Sequence, residues 1–360
     1  MKKKRLDFEL MRILAIFLVV FNHTDTRGFF LYQMPGGSGV NCAVSLLLAV
    51  ICKAAVPLFF MISGGLLLGR EESLRTLLQK RILRMAAVLV LFSGILYLFW
   101  IHWGFVPHPG VKDFIKRLWG EGISIPYWYL YAYLGVLFLL PLLSPAAKAI
   151  PDWGYLWLFG IQLFLNGAVS ILSGFTGLGI LNQYFVTGLT MGAASQGTHY
   201  MAGQAVFYML MGYYFVHRFH WEKLTGRRLF GMGILAAASV LLMAGLCWYD
   251  FRYHGNASGG YMGSFLSIVV FFLYMALHRI GERISADGKL AKLIETLGGL
   301  VFGTYLLEGI YRRQLDGVYL ALEPKIHVLP ACLIWVAAVV VCGMATTWVL
   351  KKLPVLRKLL

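Results

Sequence analysis

"MRILAIFLVVFNHTD" (residues 11–25) is the stretch whose reading decides the fold. Apolar side chains fill it from Ile13 to Phe21, as in a membrane-spanning helix, yet Arg12 stands at one end and His23 at the other. The two are eleven residues apart. At 3.6 residues per turn that spacing is about three turns plus 20°, so both lie on one helix face, roughly 16 Å apart along the axis. Ionisable groups inside an apolar helix are costly and normally face a protein interior or a wet cavity.

The rest of the chain repeats the apolar theme. Of 360 residues, 59% are hydrophobic and 13% charged, with a mean hydropathy of +0.72. An ordinary globular chain is about 45–50% apolar and about 25% charged. Runs near the length of a bilayer crossing recur throughout, so the expected class is all-α, a polytopic transmembrane helical bundle. A barrel is disfavoured because its strands would be short and alternating. Ten spans fit, at about 8–27, 43–69, 85–106, 126–144, 153–172, 200–217, 229–249, 261–278, 295–312 and 328–350. All loops between them are short, so residues 1–360 read as one transmembrane domain with no separate soluble domain. The N-terminal run has no small-residue cleavage site after it and reads as a retained first helix.

A net charge of +16 in a soluble chain would point to nucleic acid. Here the positions of the charges exclude that partner. With ten spans, one set of loops plus both termini carries 22 Lys and Arg, and the opposite set carries eight. This bias predicts both termini in the cytoplasm of a multi-pass plasma-membrane protein, with the lipid bilayer as its surroundings. Trp100, Trp103, Trp128, Trp153 and Trp221 fall near span ends, where an aromatic belt belongs. The five cysteines sit in apolar runs with neither a disulfide framework nor a metal spacing, so no metal is expected. Residues 153–217 contain no Asp, Glu, Lys or Arg, and their Gly-, Ser-, Thr- and Asn-rich middle reads either as a loop or re-entrant segment or as a neutral wall for a sugar.

Several polar residues stand out within this frame. Arg12 fits either a snorkelling interfacial arginine or a pocket residue. His23 fits either an interfacial histidine or a general base, since imidazole titrates near neutrality. Their shared face favours a joint role. Arg81 and Arg84, three apart and therefore neighbours on a helix, open the third span. They serve either as ordinary cytoplasmic charge or as a phosphate clamp. Glu308, in "FGTYLLEGIYRR" (residues 302–313), is the one carboxylate well inside a late span; it either orients His23 or pairs with Arg312 one turn on. Lys53 is expected at the outer interface if residues 40–53 form a surface helix, and carries little weight.

These residues carry a resemblance. "RLDFELMRILAIFLVVFNHT" (residues 5–24) resembles the first helix of the acyltransferase-3 family of integral membrane O-acyltransferases, whose hallmark is Arg, ten residues, His. "VPLFFMISGGLLL" (56–68) is similar to the family's second-helix block, and "KRILRMAAVL" (80–89) to its paired-arginine stretch. "YWYLYAYLGVLFLLPLL" (127–143) is similar to its aromatic fourth span. "FGTYLLEG" (302–309) resembles a late-helix motif that often ends in histidine, where this chain has Glu308. The resemblance spans nearly the whole chain. It implies transfer of an acyl group, usually acetyl, from cytoplasmic acyl-CoA to a hydroxyl of a sugar or cell-envelope glycan. Acyl-CoA (acetyl-CoA) would be the co-substrate, and a glycan or lipid-linked sugar the acceptor. Arg12, Arg81 and Arg84 would then meet the nucleotide, and His23 would either deprotonate the acceptor or carry the acyl group transiently. Some relatives carry an extracytoplasmic hydrolase-like domain. This chain shows none, and is expected to act alone or with a partner. The rival expectation is a secondary transporter or exporter of a glycan or lipid without acyl transfer; the chain has no internal repeat or matched pair of broken spans to support it.

Overall fold

The computed structural model describes residues 5–34, 39–169, 171–172 and 204–360. The described residues form helices and connecting turns, with no strand among them. Among the described residues, five helical stretches are long and apolar enough to cross a membrane: Gly39–Leu67, Leu74–His102, Ile125–Ala149, Gly226–His254 and Val328–Leu350. A sixth forms if Lys289–Gly298 and Val301–Gln314, which meet at a 56° bend, count as one broken span. The remaining predicted spans coincide with helices that are shorter or more polar. The first is 17 residues rather than the 20 read from hydropathy, because the chain leaves the α-helix after Asn22 and turns through a 3-10 segment at Asp25–Arg27. The neutral stretch over 173–200, proposed as a loop or sugar wall, lies outside the described residues.

In chain order the helices used below are α1 (Leu6–Asn22), α2 (Gly39–Cys52), α3 (Ala55–Leu67), α4 (Leu83–His102), α5 (Val111–Lys116), α6 (Trp128–Ala149), α7 (Asp152–Gln162), α8 (Ala205–His217), α9 (Gly226–His254), α10 (Leu266–Arg283), α11 (Lys289–Gly298), α12 (Val301–Gln314), α13 (Asp316–Ile326), α14 (Val328–Leu350) and α15 (Pro354–Leu359). The first helix is central. It packs against α2, α3, α10, α11, α12 and α14, and Met11, Ala15, Ile16 and Val20 are fully enclosed. Such a helix can carry ionisable groups on one face because that face meets protein, not lipid. Its start is pinned by charge: Asp7 bonds Arg5 at 2.5 Å and His278 of α10 at 2.8 Å.

Two sequence features shape the neighbours of α1. Pro57 has no N–H to offer the Lys53 carbonyl and its ring crowds that position. The expected single span 43–69 therefore breaks at Lys53 and Ala54 into α2 and α3. On α3, Gly64 lies against the Met209 carbonyl of α8, and Gly212 of α8 lies against the Met61 carbonyl of α3; a Cβ on either glycine would collide with the opposing backbone. Small residues are what let two apolar helices approach so closely. Before α4 the chain passes through a π-helical turn, Leu77–Ile82, which contains Lys80 and Arg81. Such turns re-aim side chains and are frequent at functional sites.

Candidate active site

A cavity of about 730 Å³ opens among α1, α3, α6, α11 and α12. Both Arg12 and His23 line it, as their shared helix face requires. Arg81 and Arg84 line it too, so four of the five predicted site residues border one space; the fifth, Glu308, stands directly behind His23.

The two ends differ in chemistry. At the Arg12 end the lining includes Arg12, Lys80, Arg81, Arg84 and Lys351, with Glu9 as the carboxylate among them. Arg12 bonds Glu9 at 2.6 Å. The buried carboxylate leans on Gly298 of α11, where a side chain would strike it. Arg81 bonds Glu72 through Nε at 2.6 Å. Arg84 donates to the backbone carbonyl of Leu359 at 2.9 and 3.2 Å, a neutral partner, and among the described residues no carboxylate side chain pairs with it. Cations therefore outnumber carboxylates here, and the end suits a ligand with several negative charges. Glu72 lies outside the apolar helices, and its hydrogen bond from Arg81 holds its carboxyl below the usual carboxylate range.

At the other end His23 caps α1. Its Nδ1 faces Glu308 Oε1 at 3.4 Å, an ion-pair distance at which neither atom makes a hydrogen bond among the described residues. Glu308 is 1% exposed, so its charge needs a partner inside the protein. Arg312, one turn along α12, supplies it at 2.6 Å, and the same guanidinium bonds the His23 carbonyl at 2.9 Å. Of the two sequence readings of Glu308, the pairing with Arg312 corresponds to a hydrogen bond, while toward His23 the carboxylate stands only at ion-pair distance. Tyrosines fix its height. Tyr127 donates to the Leu306 carbonyl at 2.6 Å, and Tyr305 donates back to the Pro126 carbonyl. These bonds clasp α12 to the turn before α6.

The sequence did not single out several lining residues. Tyr129 and Tyr133 of α6 stack with ring centres 5.9 Å apart and border the middle of the cavity with Ser63. Their signal is the aromatic run of residues 127–133. Asn22 and Lys53 line the His23 end, as does a glycine-rich loop, Ser258–Gly263. Lys53 corrects an expectation. Residues 40–53 are no surface helix, since α2 and α3 together form one of the apolar spanning stretches, and Lys53 sits at their break, inside the protein.

A carboxylate–imidazole pair beside a cavity can take a proton from a hydroxyl, and a cationic mouth can hold a phosphate-rich donor. Among the described residues, no three His, Cys, Asp or Glu side chains gather as a metal site needs. No curated protein and no solved structure matches the chain. A family profile described as an acyltransferase domain matches residues 5–350, nearly the whole length. The chain therefore belongs to the acyltransferase-3 family and is a multi-pass membrane acyltransferase.

Proposed function

We propose that the protein transfers an acyl group, acetyl first among candidates, from acyl-CoA to a hydroxyl of a sugar or cell-envelope glycan. One observation carries this reading: a single cavity has a cationic mouth at one end and a carboxylate-backed histidine at the other. The 22-to-eight charge bias supports placing the cationic mouth, with both termini, on the cytoplasmic side of the plasma membrane. Acyl-CoA is made in the cytoplasm, and its phosphates would meet Arg12, Arg81 and Arg84. Its pantetheine arm would run past Tyr129 and Tyr133 toward His23.

In this reading the proton of neutral His23 sits on Nδ1, the nitrogen that faces Glu308, which leaves Nε2 to accept a proton. His23 Nε2 takes the proton of the acceptor hydroxyl, and the oxygen attacks the thioester carbonyl carbon. The tetrahedral intermediate expels the coenzyme thiolate as the C–S bond breaks. Nε2 returns the proton to sulfur, leaving an ester and free coenzyme. Arg312 holds the Glu308 carboxylate in place beside His23, so the imidazolium has a counter-charge when it forms.

The test uses purified protein, radiolabelled acetyl-CoA and an envelope glycan fraction. Transfer of label should occur with the wild type and fall to background in His23→Ala. Full transfer by that variant sinks the role of His23.

A further inference from the structure

The His23 end of the cavity holds a cation that the acyl-transfer steps leave unused. Lys53 sits at the break between α2 and α3 and lines the cavity. Among the described residues no carboxylate pairs with it; its Nζ lies over the Phe29 ring, 4.4 Å from the ring centre. A cation held in an apolar bundle without a counter-charge marks a functional site, because the protein itself gains nothing by keeping it there. A contact joins its stretch of chain to the one that carries His23, and both residues line the cavity. The Cys52 thiol meets Asn22 Oδ1 at 3.7 Å, so His23 and Lys53 are the adjoining residues on the two sides of that contact.

The surroundings are donor-rich. Asn22 uses its oxygen toward Cys52, while its amide nitrogen bonds no described residue. Gly259 and Gly260 bring bare backbone to the same wall, and Gly259 has φ +66°, a conformation glycine adopts without strain. Glu9, the carboxylate among the lining residues, belongs to the opposite end beside Arg12. The His23 end therefore combines an ammonium without a carboxylate partner among the described residues and an amide nitrogen, with no lining carboxylate side chain.

We propose that this end is an anion subsite, and that the acceptor carries a carboxylate or phosphate close to the hydroxyl that is acylated. Lys53 binds that anion and so positions the hydroxyl against His23 Nε2. The inference rests on the acyl-transfer reading and narrows its acceptor to charged glycans. Two sources share the chemistry, a uronic-acid residue and a phosphodiester-linked sugar or polyol.

The experiment uses protein in nanodiscs with three probes: an oligouronate, a glycerol-phosphate oligomer and a neutral glucan oligomer. Binding is read first without coenzyme, and transfer from acetyl-CoA second. The wild type should bind and acylate at least one charged probe at least about tenfold better than the neutral one, the worth of one charge-assisted contact. Which charged probe wins names the source. Lys53→Met should raise KM for that probe about tenfold and leave KM for acetyl-CoA unchanged, and Lys53→Arg should restore most of the loss. The wild-type preference stands independently of whether Lys53→Met assembles. Equal use of charged and neutral probes overturns the subsite. So does a Lys53→Met enzyme that loses turnover equally on all probes, since Lys53 would then act on the thioester. Charged binding that needs Lys53 without any transfer supports the subsite and sinks the acyl-transfer reading. Transfer indifferent to probe charge sinks the subsite alone.

Discussion

Glu308→Gln isolates what the carboxylate does for His23. The amide keeps the shape and a contact to Arg312, but it no longer enforces the Nδ1 proton or balances an imidazolium. Turnover should fall about 10²-fold, the usual worth of an oriented general base, while both KM values stay within roughly threefold. A variant with normal turnover would reduce Glu308 to a structural partner of Arg312. The cationic mouth gives a prediction of opposite sign. Arg81 is occupied by Glu72, whose carboxyl it holds below the usual range, so at neutral pH the pair persists and competes with the donor phosphates. Glu72→Gln should lower KM for acyl-CoA by about two- to fivefold, since an exposed ion pair is worth well under 2 kcal/mol. An unchanged KM would separate Arg81 from coenzyme binding. Arg12 and His23 were legible together because helical spacing puts them on one face, whereas Arg81 and Arg84 were legible only as neighbours opening the third span, and it is the fold that brings them to the same cavity. Lys53 was not, because its place depends on a missing hydrogen bond at Pro57, and hydropathy does not register such a break.

Between elements, the cavity exists because some helices touch and others are held apart. α3 and α8 meet backbone to backbone at Gly64 and Gly212, and this close crossing sets the wall carrying Phe59, Ile62 and Ser63. Gly212→Leu would have to push α8 away, at a cost of about 1–3 kcal/mol or more. The expected result is a lower unfolding midpoint in detergent and reduced yield. Gly135→Leu is the control, because a side chain there meets open space; its midpoint should be unchanged or higher. Equal behaviour of the two variants would mean that the crossing tolerates separation. Hydropathy placed these helices well and predicted 328–350 to the residue. It could not see the partnership of α3 with α8, because glycine identity alone does not say which helix comes close. It also overstated the end of α1, read as reaching residue 27, because the helix stops at Asn22 and a 3-10 turn follows.

For the whole molecule, the decisive quantity is direction. The cavity is chemically polar end to end, cationic around Arg12 and imidazole-bearing at His23, so its orientation fixes which side supplies each substrate. The charge bias is an energetic statement about insertion: loops rich in Lys and Arg stay on the cytoplasmic side. With ten spans it predicts the loop before α4 inside and the loop holding α5 outside. Glu71 and Val111 are exposed in those two loops and suit single-cysteine substitution. The native cysteines are buried or half-buried, and the unmodified protein supplies the baseline for labelling. On intact cells a membrane-impermeant maleimide should label Val111→Cys and spare Glu71→Cys, and permeabilised cells should give both. The reverse pattern would turn the cationic mouth away from the cytoplasm. A donor that exists only in the cytoplasm would then meet His23 before any arginine. The division of the cavity into a coenzyme end and an acceptor end would fail with it, even with every residue contact unchanged.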